Sequence, residues 1–478
     1  MTRIEADVTR IDDVEVFDKK VTIEVAPNDV VQPPDQPPPV EPDLSDIWGR
    51  GILALPHYPH AERDERDVVA RVNNGKAYRD TVSELGGTPD SPGTAPVINT
   101  AMGTRGTVYL PDEGADGSGA QKDSAAMARA LGKVKDGGKV FVPWGKWNIQ
   151  EVQAPGHKDI IIEGETELGA ELIGTPGRDM LVWREASTQR RLQNRPVIRN
   201  LRFGMRGNGQ RGTFNRKTIL GWQAGAAALA WIDGDRGDSR KGFWGNSYVT
   251  LQNVTAWADK NALGACLLYS DRPLYGLRAT DIYIGHHGND VSGTHGGIVF
   301  GKPPTGVMEA TSDEMRIERM VHWGGQCSIA AYNVANGAVI DHKAYNCRHS
   351  LHLTGHDEPG PRDRCREIEL RELYYDCEMV QFSGNDGPLI YIDSDGCEIG
   401  MIHIKGERRG EVSPRVTIKG EDVRGGQIRI MSSSRHASPV FDIAGEGHQF
   451  SIRAAGVTSA HKAKMVNDGR GHPGVTVR

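Results

Sequence analysis

The stretch that most constrains this chain begins at Gly114 and reads Gly-Ala-Asp-Gly-Ser-Gly-Ala-Gln-Lys-Asp-Ser-Ala-Ala-Met-Ala-Arg-Ala-Leu131. It closes with Gly137-Gly138-Lys-Val-Phe-Val-Pro143-Trp-Gly-Lys-Trp147. Gly114 to Gly119 is a turn-rich loop, Asp123 or Ser124 stands where a helix N-cap belongs, and Met127, Ala130 and Leu131 give an i, i+3, i+4 apolar face. A short amphipathic helix is therefore predicted. Gly137-Gly138 stops it, Val140 and Val142 alternate as a strand, and Pro143 to Gly145 turns the chain sharply.

A weak repeat follows this unit. An apolar-x-apolar-x-x-apolar pattern recurs at Val249/Leu251/Val254, Leu277/Ala279/Ile282, Met315/Ile317/Met320, Val339/Asp341/Ala344, Ile368/Leu370/Leu373 and Cys397/Ile399/Ile402. Its first positions step by 28, 38, 24, 29 and 29 residues, within the ~20–50 of a solenoid turn. The fourth copy puts Asp341 where an inward apolar residue belongs. Between the copies lie further short strands at Ala265 to Tyr269, Gly297 to Phe300, Ser328 to Tyr332, Leu351 to Leu353, Leu389 to Ile392 and Arg415 to Ile418. Two or three short strands per turn, joined by Gly, Asn and Asp, suit a solenoid better than a sandwich. With 59 glycines, 6% aromatics and no long helical period after about residue 135, a helical fold is disfavoured.

The unit at 114–147 resembles the lead-in segment of the pectate-lyase-like superfamily, whose pattern runs G-A-D-G-x-x-D-[ST]-x-A, then G-G-x-V-x-[VL]-P-x-G-x-[YW]. Gly114, Asp116, Gly117, Asp123, Ser124, Ala126, Ala130, Leu131, Gly137, Gly138, Val140, Val142, Pro143, Gly145 and Trp147 carry the likeness. The resemblance implies an all-β chain, a right-handed parallel β-helix whose open first coil is covered by the helix near 123–134.

The first 110 residues differ in kind. Val14, Val16, Val21, Ile23 and Val25 alternate with polar residues, so 1–31 reads as a strand-like arm. The segment 32–45 holds Gln32-Pro-Pro-Asp-Gln-Pro-Pro-Pro-Val-Glu-Pro42, an extended linker. Residues 46–110 form a small α/β attachment region with helices expected over 62–72 and 76–85. The β-helix is expected over 111–432, closed by strands in 433–478.

Several function classes recede. The start, Met1-Thr-Arg-Ile-Glu-Ala-Asp, has no hydrophobic region, and the longest apolar run, Gly221 to Ile232, is about half a bilayer span, so neither export leader nor membrane insertion is expected. Six cysteines, at 266, 327, 347, 365, 377 and 397, include no C-x-x-C pair and read as free buried thiols. Neither metal nor cofactor is implied. Net charge is −6 with bases interleaved among acids, which disfavours a nucleic-acid partner.

A β-helix behind a proline-linked arm, with reduced cysteines and no leader, resembles bacteriophage tailspike and tail-fibre proteins. The resemblance implies a homotrimer made in the host cytoplasm and carried on the virion. Its N-terminal region would hold other virion proteins, and its solenoid would meet a host surface polysaccharide. Three readings stay open: a depolymerase, a non-enzymatic receptor-binding or structural spike, and a cellular polysaccharide lyase or hydrolase.

Hydrolysis of a glycosidic bond needs two carboxyl groups. Asp393 and Asp395, in Tyr391-Ile-Asp-Ser-Asp-Gly396, are the best candidate pair, because i and i+2 on a strand share a face; a plain Asx turn is the competing reading. Asp-x-Asp-Gly also begins like a calcium loop, but Ile404 stands where the bidentate Glu would be. Asp341, His342, His349, His352, His356 and Asp357 form a second cluster, with Asp341 and His352 the acid/base candidates. Gly285-His286-His287 and His295 are loosely similar to a polygalacturonase element, but the Asn-Thr-Asp and Asp-Asp elements of that family are missing ahead of them. Asp233, Asp235 and Asp238 read as a solvated loop. Of Trp222, Trp231, Trp244, Trp257 and Trp323, we take Trp244, Trp257 and Trp323 as glycan-stacking candidates, since an indole face suits a sugar ring.

Overall fold

The computed structural model describes residues 106–478 apart from 185–192, 208–217, 220–221, 233–245, 272–273, 287–294, 302–311, 355–363, 378–386, 406–414, 432–439, 456–465 and 468–473. Before residue 106 it describes the backbone of four short strands. The chain divides into two units, Met1–Gly103 and Thr104–Arg478.

In the first unit Arg3–Glu5 pairs antiparallel with Thr22–Glu24, and Val68–Asn73 with Lys76–Thr81. The second hairpin corrects the helices expected over 62–72 and 76–85. Val68, Val69 and Val72 favour a strand, and Asn74-Gly75 between the strands is the strongest two-residue hairpin signal in a sequence. The i+4 charge pairs that suggested helix are each worth only ~0.2–0.5 kcal/mol.

The second unit is the expected all-β parallel β-helix. One 28-stranded sheet winds through it, and its strands stack in parallel from coil to coil. In the first coils Ile160–Gly164 lies on Gly138–Val142, Ala170–Gly174 on Gly145–Ile149, and Leu181–Arg184 on Val152–Ala154. These three pairings define three sheet faces, called here the first, second and third sheets. The short strands expected between the repeat copies all fall in the third sheet, as Cys266–Ser270, Gly296–Phe300, Ile390–Asp395, Val416–Lys419 and the ends of Met315–Tyr332 and Val334–Thr354. Coiling continues to Val475–Val477, which stacks on Gln449–Ala455.

In six consecutive coils the bend between the first and second sheets is made by one residue in the left-handed region. Asn200, Asn253, Asp281, Arg319, Asp341 and Glu372 stack there with φ between 50° and 57°. Asn and Asp tolerate that conformation best, and side-chain bonds run up the stack: Asn253 Nδ2 donates to Asn200 Oδ1 at 2.9 Å, and Arg319 Nε to Asp281 Oδ1 at 2.6 Å.

This stack corrects the fourth repeat copy. Ile317 pairs with Val339, Val339 with Leu370 and Met320 with His342, so the inward triplet is Gly337/Val339/His342, two residues earlier than the sequence pattern suggested. A Cβ on Gly337 would lie 2.7 Å from Ile368 Cδ1 and 3.1 Å from Met315 Cε, so neighbouring side chains fill its place. His342 takes the third inward position and is fully buried. Its Nε2 lies 2.9 Å from Ser328 Oγ and its Nδ1 3.1 Å from the Tyr375 hydroxyl. Burial pushes its pKa down to about 3.

The core is one continuous aliphatic column, with Trp183 and Trp231 stacked 4.3 Å apart inside it. All six cysteines are free and buried, and burial raises Cys365 to about 12. The lead-in helix is Ser124–Lys133, and Ala126, Met127, Ala130 and Leu131 form its buried face. Asp123 does not cap it through its side chain. Its buried carboxylate instead accepts the Asp116 N–H at 3.2 Å and the Asn148 N–H at 2.9 Å, tying the Gly-rich loop to the second sheet.

Candidate functional site

Because side chains alternate across a strand, function on a solenoid wall is written in the outward columns. One column on the third sheet reads Val182, Ala230, Tyr269, Val299 and Ala330, then His352 and Tyr391. Its apolar members are buried with Trp222, Cys266 and Cys327 in a second core outside the sheet. Where that apolar cover ends, titratable groups begin.

His352 stacks on Tyr391 with ring centres 4.9 Å apart, and Lys419 Nζ lies 5.4 Å from the Tyr391 ring centre. Burial, with a smaller push from His349, lowers the pKa of His352 to about 3, so its ring is neutral at pH 7. Asp393 and Asp395 follow Tyr391 on the same outward face, and Lys419 is the register partner of Asp393. One guanidinium joins the pair. Arg364 Nε lies 3.1 Å from Asp393 Oδ1, close enough for an ion pair but off hydrogen-bond alignment, and its Nη1 donates to Asp395 Oδ1 at 3.2 Å. Asp395 also accepts the Glu421 N–H at 2.9 Å.

The two carboxyl groups therefore differ in setting. Asp393 is buried, and that burial raises its pKa against the pull of Arg364 and Lys419, with Asp395 pushing it further up. Asp395 is half-buried and held by two donors. Two carboxyl groups in unequal settings, one of them biased toward its acid form by burial, are what glycoside hydrolysis uses. The structure thus brings together Asp393, Asp395 and, through Tyr391, His352. Asp341 is not brought to them: it lies at the bend between the first and second sheets, paired with Lys343 at 3.0 Å.

The other histidines scatter. His349 Nδ1 lies 2.9 Å from the Pro388 carbonyl and His295 is buried against His322, while the side chains of His286, His287, His356 and Asp357 lie outside the described residues, as does the 233–238 loop. Sequence reasoning missed Arg364, Tyr391 and Lys419. Their only signal is register, which the unequal coil lengths hide.

The tryptophans divide likewise. Trp222 and Trp231 are buried, and Trp244 lies outside the described residues. Trp257 and Trp323 share one outward column of the second sheet, with Gly285 between them. Trp257 is half-buried: its ring lies across Gly204, where a Cβ would come within 2.7 Å, and its Nε1 donates to Glu171. Trp323 is 41% exposed and Tyr283, in the next column, 48%. Trp323 stacks on Tyr345 at 5.0 Å, Tyr345 meets Tyr374 at 5.8 Å, and Tyr374 meets His403 at 6.4 Å. This aromatic run crosses consecutive coils.

No family model matches the chain, and no curated protein matches it. Among solved structures it is similar to ORF18 of Geobacillus virus E2, at 14% identity and a TM-score of 0.40, covering 82% of this chain and 69% of that one. It is similar to the pre-mature gene product 12 of bacteriophage phi29 at 12% identity and a TM-score of 0.45, covering 74% of this chain and 53% of that one. The chain thus spans about half the length of the phi29 protein. The A-module of the Azotobacter vinelandii mannuronan C-5 epimerase AlgE6 is similar at 13% identity and a TM-score of 0.39, covering 77% of this chain and 97% of that one. Among the described residues, no helix is long and apolar enough to cross a membrane.

Proposed function

We propose that this chain is a phage virion appendage that binds a host surface polysaccharide on the outer wall of its second sheet. The observation that carries the binding is the aromatic run from Trp323 through Tyr345 and Tyr374. Large rings left on a solenoid wall at the coil repeat offer successive faces to successive sugars. The virion setting rests on the lead-in segment and the proline-linked arm, with the N-terminal region as the attachment part, the solenoid from about residue 111 as the glycan-facing part, and a homotrimer as the assembled form. Binding of the full chain to a panel of bacterial surface glycans tests the reading. Trp323→Ala should weaken binding about tenfold or more without loss of fold, given ~1–3 kcal/mol for a stacked ring. An unchanged affinity would refute the wall as the binding site.

A depolymerase reading is favoured by one further feature, the Asp393 and Asp395 pair with its unequal settings. On this reading Asp393 donates a proton to the leaving oxygen and Asp395 acts as base or nucleophile, while Arg364 keeps both in place. Release of oligosaccharides from the bound glycan, lost in Asp393→Asn, is the expected result. Full release by that variant would leave the chain a binding spike.

A further inference from the structure

Past the aromatic run, the outer wall of the second sheet changes character. Tyr374, His403, Arg429 and Arg453 occupy one outward column on four consecutive coils, each in direct register with the next. The coils step by ~4.8 Å, so Arg429 lies about two steps from Tyr374 and Arg453 about three. Like charges directly opposite across neighbouring strands repel.

Elsewhere among the described residues such juxtapositions are relieved by a partner: Arg278 stands in register with Arg316, which is paired with Glu318, and Glu398 with Glu369, which is paired with Arg371. Arg319 is paired with Asp281, Arg199 with Glu163, and Arg424 with Asp422. Lower on the same wall, Lys343 is neutralised by Asp341 and Lys405 by Asp376. Arg429 and Arg453 have no carboxylate partner among the described residues. Arg429 donates from Nε to the neutral Gln427 amide, and Arg453 is exposed. Besides burial, the Arg429 charge helps hold the pKa of His403 below its ordinary value. In a chain of net charge −6, an unneutralised basic pair in register is a local cost that a bound anion would remove.

We propose that the glycan held on this wall is acidic. Its rings stack on Trp323, Tyr345 and Tyr374, its anionic groups reach Arg429 and Arg453, and its chain runs along the solenoid axis. This inference rests on the glycan-binding reading above and names the charge class of that glycan. The ligand chemistry called for is a polysaccharide with carboxylates at intervals of a few sugars, since guanidinium forks match carboxylates and aromatic faces match pyranose rings.

The test uses the full chain and three polyanionic glycans, hyaluronate, polysialic acid and polymannuronate, each beside its carboxyl-reduced neutral form, in calorimetric titrations at two salt concentrations. At least one acidic polymer should bind tenfold or more tighter than its reduced partner, with the preference shrinking at higher salt. Arg429→Gln and Arg453→Gln should each lower the acidic affinity about tenfold, as expected for loss of a hydrogen bond to a charged group, and leave neutral binding unchanged. Arg429→Lys and Arg453→Lys should keep part of the preference. Equal binding of acidic and reduced forms, or no effect of either Gln variant, overturns the proposal. If Trp323→Ala abolishes binding while the Arg variants do not, the glycan reading stands and the acidic one falls. If no polymer of either kind binds, both fall. A changed sedimentation coefficient in Arg429→Glu/Arg453→Glu would assign the wall to a second copy of the chain and overturn both.

Discussion

His342 makes this solenoid sensitive to mild acid, and the size of the effect follows from its place in the core. It fills an inward position with Ser328 and Tyr375 as its polar neighbours, and burial holds its pKa at about 3. Unfolded, the same imidazole titrates near ~6.5. A base whose folded pKa lies below its unfolded value gives stability that is fully present above pH ~6.5 and is lost as pH falls toward 3, because the unfolded chain takes the proton first. At pH 7.5 this loss is negligible. At pH 5.0 the unfolded state gains about 1.5 pK units of proton binding at ~1.36 kcal/mol each, or ~2 kcal/mol for this one side chain. His342→Gln keeps an amide able to reach Ser328 and Tyr375 but removes the titration. We therefore expect the stability gap between the native chain and His342→Gln to shift by ~2 kcal/mol in favour of the variant between pH 7.5 and 5.0. Urea unfolding followed by tryptophan fluorescence at the two pH values measures it. His352 also titrates low, but it is common to both proteins and cancels. Parallel pH dependences of the two proteins would refute the argument.

Other outcomes follow from the same geometry. Asp123→Ala strips the acceptors from the Asp116 and Asn148 N–H groups and should cost about 2–6 kcal/mol, at ~1–3 kcal/mol per orphaned donor, felt first in the lead-in unit. Hydrogen exchange of the helix amides at 124–133 should then accelerate while exchange in coils past residue 250 does not; uniform acceleration would contradict a local tie. For Asp393, a raised pKa keeps the acid form present to higher pH, so any glycan cleavage should be greatest at low pH and fall as pH rises through that titration. Asp393→Asn should lower cleavage by ~10² or more while leaving stability at pH 7 equal or higher, because it removes a buried charge. A cleavage rate that climbs with pH would reject Asp393 as the proton donor.

What could be read from the sequence was whatever repeats at fixed spacing. The lead-in segment is contiguous, so its loop, helix, double-glycine stop and strand were all legible, although Asp123 turned out to tie a loop to a sheet. The third-sheet strands were also legible, since each carries a short apolar run. Failure began where two inward positions of one coil carried Gly337 and His342. Without apolar residues there, the pattern slipped by two, and a slip by two keeps the alternation while changing which residue each side chain stands beside. Asp341 entered the candidate site through its histidine-rich neighbourhood in sequence, when its φ of 50° marks it as a bend residue. In the N-terminal unit the error ran the other way: weak charge pairing outweighed the Asn74-Gly75 hairpin signal.

The same logic explains why the walls were less legible than the core. Inward positions must be apolar in every coil, so they announce themselves. Outward positions are free, and their meaning lies in what stands above and below them on coils 22 to 53 residues away. Trp323 stands out in sequence as an indole, but Tyr345 and Tyr374 are unremarkable there, and Arg429 and Arg453 more so. Only when coils are stacked does the first set become a continuous aromatic surface and the second an uncompensated basic pair. Asp393 and Asp395 escaped this limit because their partnership lies within one strand, whereas Arg364, which holds them together, stands just ahead of another strand, Cys365–Arg371. A site on a solenoid is in this sense a property of register, and substitutions that shift register, such as a one-residue insertion between Asp341 and His352, should erase it without touching any residue that composes it.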